Sequence, residues 1–131
     1  MKKKKLALLT GVLALATSAS VYAGTSYTSY STTVGDTNGS GYTGYDQTKS
    51  TSGANGYIKS TSVGGDYVVD VRMLDAQGNG GDWDRNIDDG TNSALDGHVN
   101  HIKDDKMRLQ FSNDWNTPVD VQVTGSWKSD N

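Results

Sequence analysis

The residues best equipped for chemistry lie between Asp75 and Gly90, where five aspartates, two asparagines and a tryptophan share sixteen positions. Calcium takes six to eight hard oxygen ligands from a loop that turns sharply at a glycine. The candidate ligands are Asp75, Asn79, Asp82, Asp84 and Asp88. Counted from Asp75, oxygen donors fall at places one, three and five and Gly80 at six, but the twelfth place, which needs a bidentate acid, holds Asn86. Counted from Asp82, Ile87 takes the glycine place and Ser93 the last, and Arg85 adds a positive charge. A hairpin turn at Gly78-Asn79-Gly80, followed by a solvated acidic loop, accounts for the same residues without a metal. The expectation is therefore no cofactor, with calcium as the alternative.

His98 and His101 are the only histidines. Zinc needs a third protein ligand; Asp104 and Asp105 are the residues that could contribute one, but no ligand stands at a fixed metal-binding spacing, so a solvated loop is the expected setting for both rings. For binding chemistry the aromatic residues offer more. Sugar rings stack on flat aromatic faces while Asp and Asn bind hydroxyls. Trp127 falls in a valine series and belongs to a core, whereas Trp83 and Trp115 sit among turn residues and are the candidate ligand-binding side chains. No G-x-S-x-G elbow, no HExxH pair and no cysteine is present, so the chain is read as non-catalytic.

The elements that must carry these residues read as strands. Tyr67, Val69, Val71 and Met73 alternate with Val68, Asp70, Arg72 and Leu74, which sends Asp70 and Arg72 outward. Met107, Leu109 and Phe111 alternate with Arg108, Gln110 and Ser112. Val119, Val121, Val123, Gly125 and Trp127 line one face of the last strand, which Pro118 precedes without disturbing a ladder. Upstream, Thr25 to Tyr30 is echoed by Ser40 to Tyr45 across a Gly35-Asp36-Thr37-Asn38-Gly39 turn, the pattern of two successive hairpin strands. The long connection from 75 to 105 offers Trp83, Ile87, Leu95, Val99 and Ile102 to a core, and a short strand or helical turn is expected around Asp96 to Ile102. Many short strands divided by Gly, Asn and Asp indicate an all-β, antiparallel β-sandwich, with a partly open barrel as the alternative.

Destination is written in the first 23 residues. The basic run Lys2 to Lys5, the apolar stretch Leu6 to Ala16 and the Val21-Tyr22-Ala23 site have the layout of a secretory signal peptide, with a secreted domain over residues 24–131. The apolar run is too short for a membrane span, and none is expected in the mature chain. That mature chain carries eight basic residues against fifteen aspartates and no glutamate, a net charge of −7. Such a surface repels nucleic acid and anionic membranes, and without cysteine there is no disulfide.

The signal, the Tyr/Thr-rich start, the run Val69-Asp70-Val71-Arg72-Met73-Leu74-Asp75-Ala76-Gln77-Gly78 and the close Val121-Gln122-Val123-Thr124-Gly125-Ser126-Trp127-Lys128 together resemble a group of small exported all-β proteins of Gram-positive bacteria. That group has no established function. The resemblance implies a secreted all-β domain and carries over no functional residue. The expected role is binding to a glycan or protein at the cell surface. A bacteriocin-like effector and a self-associating matrix protein are the alternatives.

Overall fold

Alternating side chains and short polar turns produce ten strands and, among the described residues, no helix. A computed structural model describes residues 22–131; residues 1–21, with most of the expected signal segment, lie outside the described residues. The strands are β1 (Tyr22–Ala23), β2 (Thr28–Val34), β3 (Ser40–Tyr42), β4 (Gln47–Thr48), β5 (Gly56–Val63), β6 (Val69–Asp75), β7 (Asp84–Ile87), β8 (Asn92–Leu95), β9 (Lys106–Asn113) and β10 (Val121–Lys128). Six form one sheet, in the order β1-β4-β9-β6-β7 with β3 also paired to β9. The other four form a second sheet, in the order β2-β10-β5-β8. The pairings are antiparallel apart from the short β1–β4 ladder.

The fold is the expected β-sandwich, and the sheets do not close into a barrel. Alternation explains why. Met107, Leu109 and Phe111 of β9 and Val69, Val71 and Met73 of β6 turn inward from one sheet. Ile58 and Val63 of β5 and Val121, Val123 and Trp127 of β10 meet them from the other, in one continuous core. Tyr30 of β2 crosses the interface to Phe111, with ring centroids 5.3 Å apart. Its hydroxyl is pushed up to about 12 by burial and stays neutral. Room for that ring is made at Gly125, where a Cβ would collide with the Tyr30 hydroxyl and the Lys59 carbonyl.

Polar side chains tie the sandwich at both ends. Lys49, just after β4, is fully buried and faces Asp130, just after β10, at 3.2 Å. The Gln47 amide donates to the Ser26 and Trp127 carbonyls, while its oxygen accepts the Ser129 N–H. At the opposite end of β9, Asn113 Nδ2 donates to the Val34 and Gly35 carbonyls at 3.1 and 2.7 Å, bridging the two sheets.

Four expectations need correction. The 25–30 and 40–45 segments are not a hairpin: β2 pairs with β10 and β3 with β9, so the turn between them crosses from one sheet to the other. The region Asp96 to Ile102 forms neither strand nor helix, and the long connection is instead built on β7 and β8. Val99 and Ile102 are exposed, because the turns that carry them lie outside the sheets. Val119 is also exposed at 46 %, since β10 starts only at Val121 and the residues after Pro118 bend away.

Val121 is 1 % exposed, so Val121→Asp places an unpaired carboxylate in the core at a cost of several kcal/mol, comparable with a small domain's whole stability of about 5–15 kcal/mol. Loss of the cooperative thermal transition is expected for Val121→Asp. Gln122→Thr, on the exposed side of the same strand, is expected to stay within about 0.5 kcal/mol of the parent.

Candidate functional site

At the end of β9 the chain leaves the sheet through Asp114 and Trp115, and the turn so formed packs against the crossing turn between β2 and β3. The Asp114 carbonyl accepts the N–H groups of Asn38 and Thr117, and the Thr117 carbonyl accepts that of Thr37 at 2.7 Å. Thr37 and Asn38 hold the left-handed backbone this docking requires, with φ of 48° and 61°. Asn113 N–H donates to the Gly39 carbonyl and closes the junction. Asn38 is thereby brought beside Ser112, Asn113 and Asp114.

The facing wall is organised by one carboxylate. Asp70 points out of β6, as its place in the alternation requires, yet is 6 % exposed. Its Oδ2 accepts from Arg85 Nη1 at 2.7 Å and its Oδ1 from the Asn86 N–H at 3.1 Å. These bonds hold β7 where the β6–β7 register shifts and Asn86 takes a left-handed φ of 61°. Trp83, immediately before β7, stacks under the Arg72 guanidinium, whose carbon lies 4.5 Å from the ring centroid.

Between the walls lies a cavity of about 290 Å³ lined by Asn38, Asp70, Trp83, Arg85, Ser112, Asn113, Asp114 and Trp115. Trp83 and Trp115, 32 positions apart in sequence, therefore share one pocket. Trp83 is half-buried and Trp115 is 76 % exposed, while Trp127 is in the core. From Trp83 a polar and aromatic row continues across the outer face of the six-stranded sheet. Arg72 Nε donates to Gln110 Oε1 at 2.8 Å, Gln110 Nε2 donates to the Tyr42 hydroxyl at 3.2 Å, and the Arg108 guanidinium lies against the rings of Tyr42 and Tyr45. An exposed indole, a half-buried one and convergent carboxylates and amides can seat a flat ring with hydroxyls at its rim.

The acidic loop is organised by one of its own carboxylates. Asp75 Oδ1 accepts the N–H groups of Gln77 and Asn79, and its Oδ2 accepts Asn79 Nδ2, so Asp75 and Asn79 meet as the two sides of a turn. Burial on its own raises the Asp75 pKa, but these bonds outweigh it and hold the group below the usual carboxylate range. Asp82 and Asp88 are exposed, Asp88 accepting the Asp89 N–H, and Asp84 lies half-buried in β7. Among the described residues no three His, Asp or Glu side chains are gathered closely enough to hold a metal.

His101 departs from its expected solvated setting: it is fully buried. Its Nε2 donates to the Asn79 carbonyl at 2.8 Å, and its Nδ1 accepts the His98 N–H at 3.1 Å. Both nitrogens are thus engaged by the neutral ring, and a proton on Nδ1 would face another N–H. Sequence reasoning also missed Asp70, Arg85, Asn113 and Asp114 as pocket residues. An acid inside a Val/Met strand and the Asn113-Asp114-Trp115 triplet were the available signals.

No known protein family, curated protein or solved structure matches this chain. Its function is therefore argued from the site itself.

The buried histidine gives a pH dependence with a defined sign. Burial foremost, with Lys49 and His98 adding to it, lowers the His101 pKa against the opposing Asn79 carbonyl and Asp75. A folded pKa below the unfolded value of about 6.5 means the unfolded chain binds the extra proton, so stability falls as pH drops through that value. The depressed Asp75 and Asp130 act lower, their contributions being lost below about pH 3.9. The melting temperature is expected to decline from about pH 7 to pH 5 and more steeply below about pH 4. His101→Gln is expected to start lower and to lose the decline between 7 and 5; an unchanged slope in that variant contradicts the assignment.

Proposed function

We propose that this protein is a non-catalytic, secreted binding domain whose ligand is a glycan at or outside the cell surface, held in the Trp83–Trp115 pocket. One observation carries the reading: the two tryptophans that the sequence sets apart line the same cavity as Asp70, Asn113 and Asp114. A hexose fits about 290 Å³, near the lower end of the usual pocket range of roughly 300–1,000 Å³. Trp115 supplies a solvent-facing ring that needs no rearrangement to meet a sugar face. The amides and carboxylates around it take hydroxyl donors, and the row from Trp83 to Tyr42 gives further units of an oligosaccharide a surface to follow. Export is supported by the tripartite amino-terminal pattern. Among the described residues no helix is long and apolar enough to cross a membrane.

Calorimetric titration of a panel of soluble oligosaccharides tests this reading. Binding of at least one class is expected, and Trp115→Ala is expected to weaken it by about tenfold or more, the effect of removing a central aromatic anchor worth about 1.4 kcal/mol. The melting temperature of that variant should match the parent, because a side chain 76 % exposed adds little to the core. A panel without a single binder, or a Trp115→Ala variant of undiminished affinity, overturns the proposal.

A further inference from the structure

The three arginines of the chain, Arg72, Arg85 and Arg108, all lie on strands of the six-stranded sheet, and only one of them is neutralised. Arg85 pairs with Asp70 at 2.7 Å; among the described residues the other ion pair is that of Lys49 with Asp130. Arg72 and Arg108 therefore have no carboxylate partner in a chain that carries fifteen aspartates. Lys106 has none either, and donates to the Thr48 hydroxyl at 3.3 Å. Along the outward side of β9, Lys106 and Arg108 stand two positions apart, about 7 Å. Arg72 sits opposite Gln110, which puts it diagonal to Arg108 at about 7–8 Å. Three cations thus share one face, with the neutral Gln110 beside the two arginines.

Both guanidiniums are held in place by the protein and left open at one end. Arg72 lies over the Trp83 ring, its Nε donates to Gln110, and Gly80 leaves it room, since a Cβ there would collide with the guanidinium. Arg108 lies against Tyr42 and Tyr45, its guanidinium carbon 4.2 and 4.5 Å from the two ring centroids and its Nε buried. The terminal nitrogens are placed differently. Among the described residues those of Arg72 and Arg108 have no hydrogen-bond or ion-pair partner and are not among the buried polar atoms, so they are open to solvent. Two terminal N–H groups in one plane match the two oxygens of a carboxylate, and stacking fixes that plane before the ligand arrives. Like charges this close repel, and an anion received between them removes the repulsion.

We infer that this face binds the ring-borne carboxylates of an acidic glycan, one built on uronic acid units. This inference rests on the glycan reading above and names the sugar class. A uronic acid carries its charge on the pyranose ring itself, so one unit sets its carboxylate on a guanidinium and its ring against Tyr42, which is 42 % exposed beside Arg108. A polyol phosphate brings the charge without the ring, and a neutral hexose the ring without the charge. At the far end of the row the pocket, with Asp70 and Asp114 in its lining, is left to a neutral unit. The acidic mature chain repels a polyanion at a distance, so the affinity comes from this row.

The test is titration of the protein with tetramers of galacturonate, mannuronate and glucuronate, each beside its methyl ester, which keeps the sugar and removes the charge. At least one acid is expected to bind at least about tenfold more tightly than its ester, and Arg108→Gln is expected to remove most of that preference. Arg72→Gln is expected to do the same, and it carries the test if Arg108→Gln lowers the melting temperature by loosening Tyr42 and Tyr45. Lys128→Gln removes the same charge from the other sheet, where Lys128 lies against Tyr27, and is expected to keep the preference. Esters that bind as well as their acids overturn the inference and leave the glycan reading standing. So does failure of acids and esters alike while another sugar of the wider panel binds. A Lys128→Gln loss as large as that of Arg108→Gln overturns the inference by exposing a general charge attraction, and tighter binding of a single-stranded oligonucleotide of equal charge overturns it in favour of nucleic acid. Failure of every sugar in both sets removes both readings.

Discussion

The buried ion pair between Lys49 and Asp130 is the interaction on which the closure of the sandwich depends. Lys49 Nζ donates to the Ser129 and Ala54 carbonyls as well as to Asp130. Asp130 in turn accepts the N–H groups of Ser50 and Thr51 and the Ser129 hydroxyl. Burial lowers the Lys49 pKa and Asp130 opposes that shift. For Asp130, burial alone acts upward, but the backbone donors and Lys49 prevail and keep it ionised. Because each charge is saturated with partners, the pair is tolerated; removing one partner strands the other, a loss of about 3–5 kcal/mol in comparable buried pairs. A chain without disulfides has here a polar lock joining the end of β10 in one sheet to the segment after β4 in the other.

β9 connects that lock to the pocket. Its first residues pair with β4 beside Lys49, and its last residue, Asn113, clamps the sheets together at the other end. The core residues between them, Met107, Leu109 and Phe111, fix the strand's rotation, so the direction in which Ser112, Asp114 and Trp115 emerge follows from packing. The pocket is thus built on a rigid strand end and on turns cross-braced by backbone hydrogen bonds, which is what preorganised binding requires.

Where one face of a strand is buried, the sequence is easy to read. The Val121, Val123 and Trp127 series and that of β9 were legible because period-two alternation and apolar burial coincide, whereas β6 is buried on both faces. The start of β2 was obscure, since its inward residues include Thr28 beside Tyr30 and Val34, and its partner lies more than 80 positions away. Trp83 and Trp115 were identifiable as surface aromatics by their turn-rich neighbours. Their meeting was not, because it depends on the β6–β7 register shift that Asp70 secures through Arg85 and Asn86. His101 was misplaced for a similar reason: its burial comes from the Asn79 carbonyl, 22 residues distant, and local polarity carries no trace of that contact.

The central claim is that the two surface tryptophans act together on one ligand while the third belongs to the core. Proton–nitrogen correlation spectra follow all three indole N–H signals separately during titration with a bound oligosaccharide. The account expects the Trp83 and Trp115 signals to move along one saturation curve while that of Trp127 stays in place. Movement of Trp115 alone, or of Trp127 together with the core amides, contradicts it.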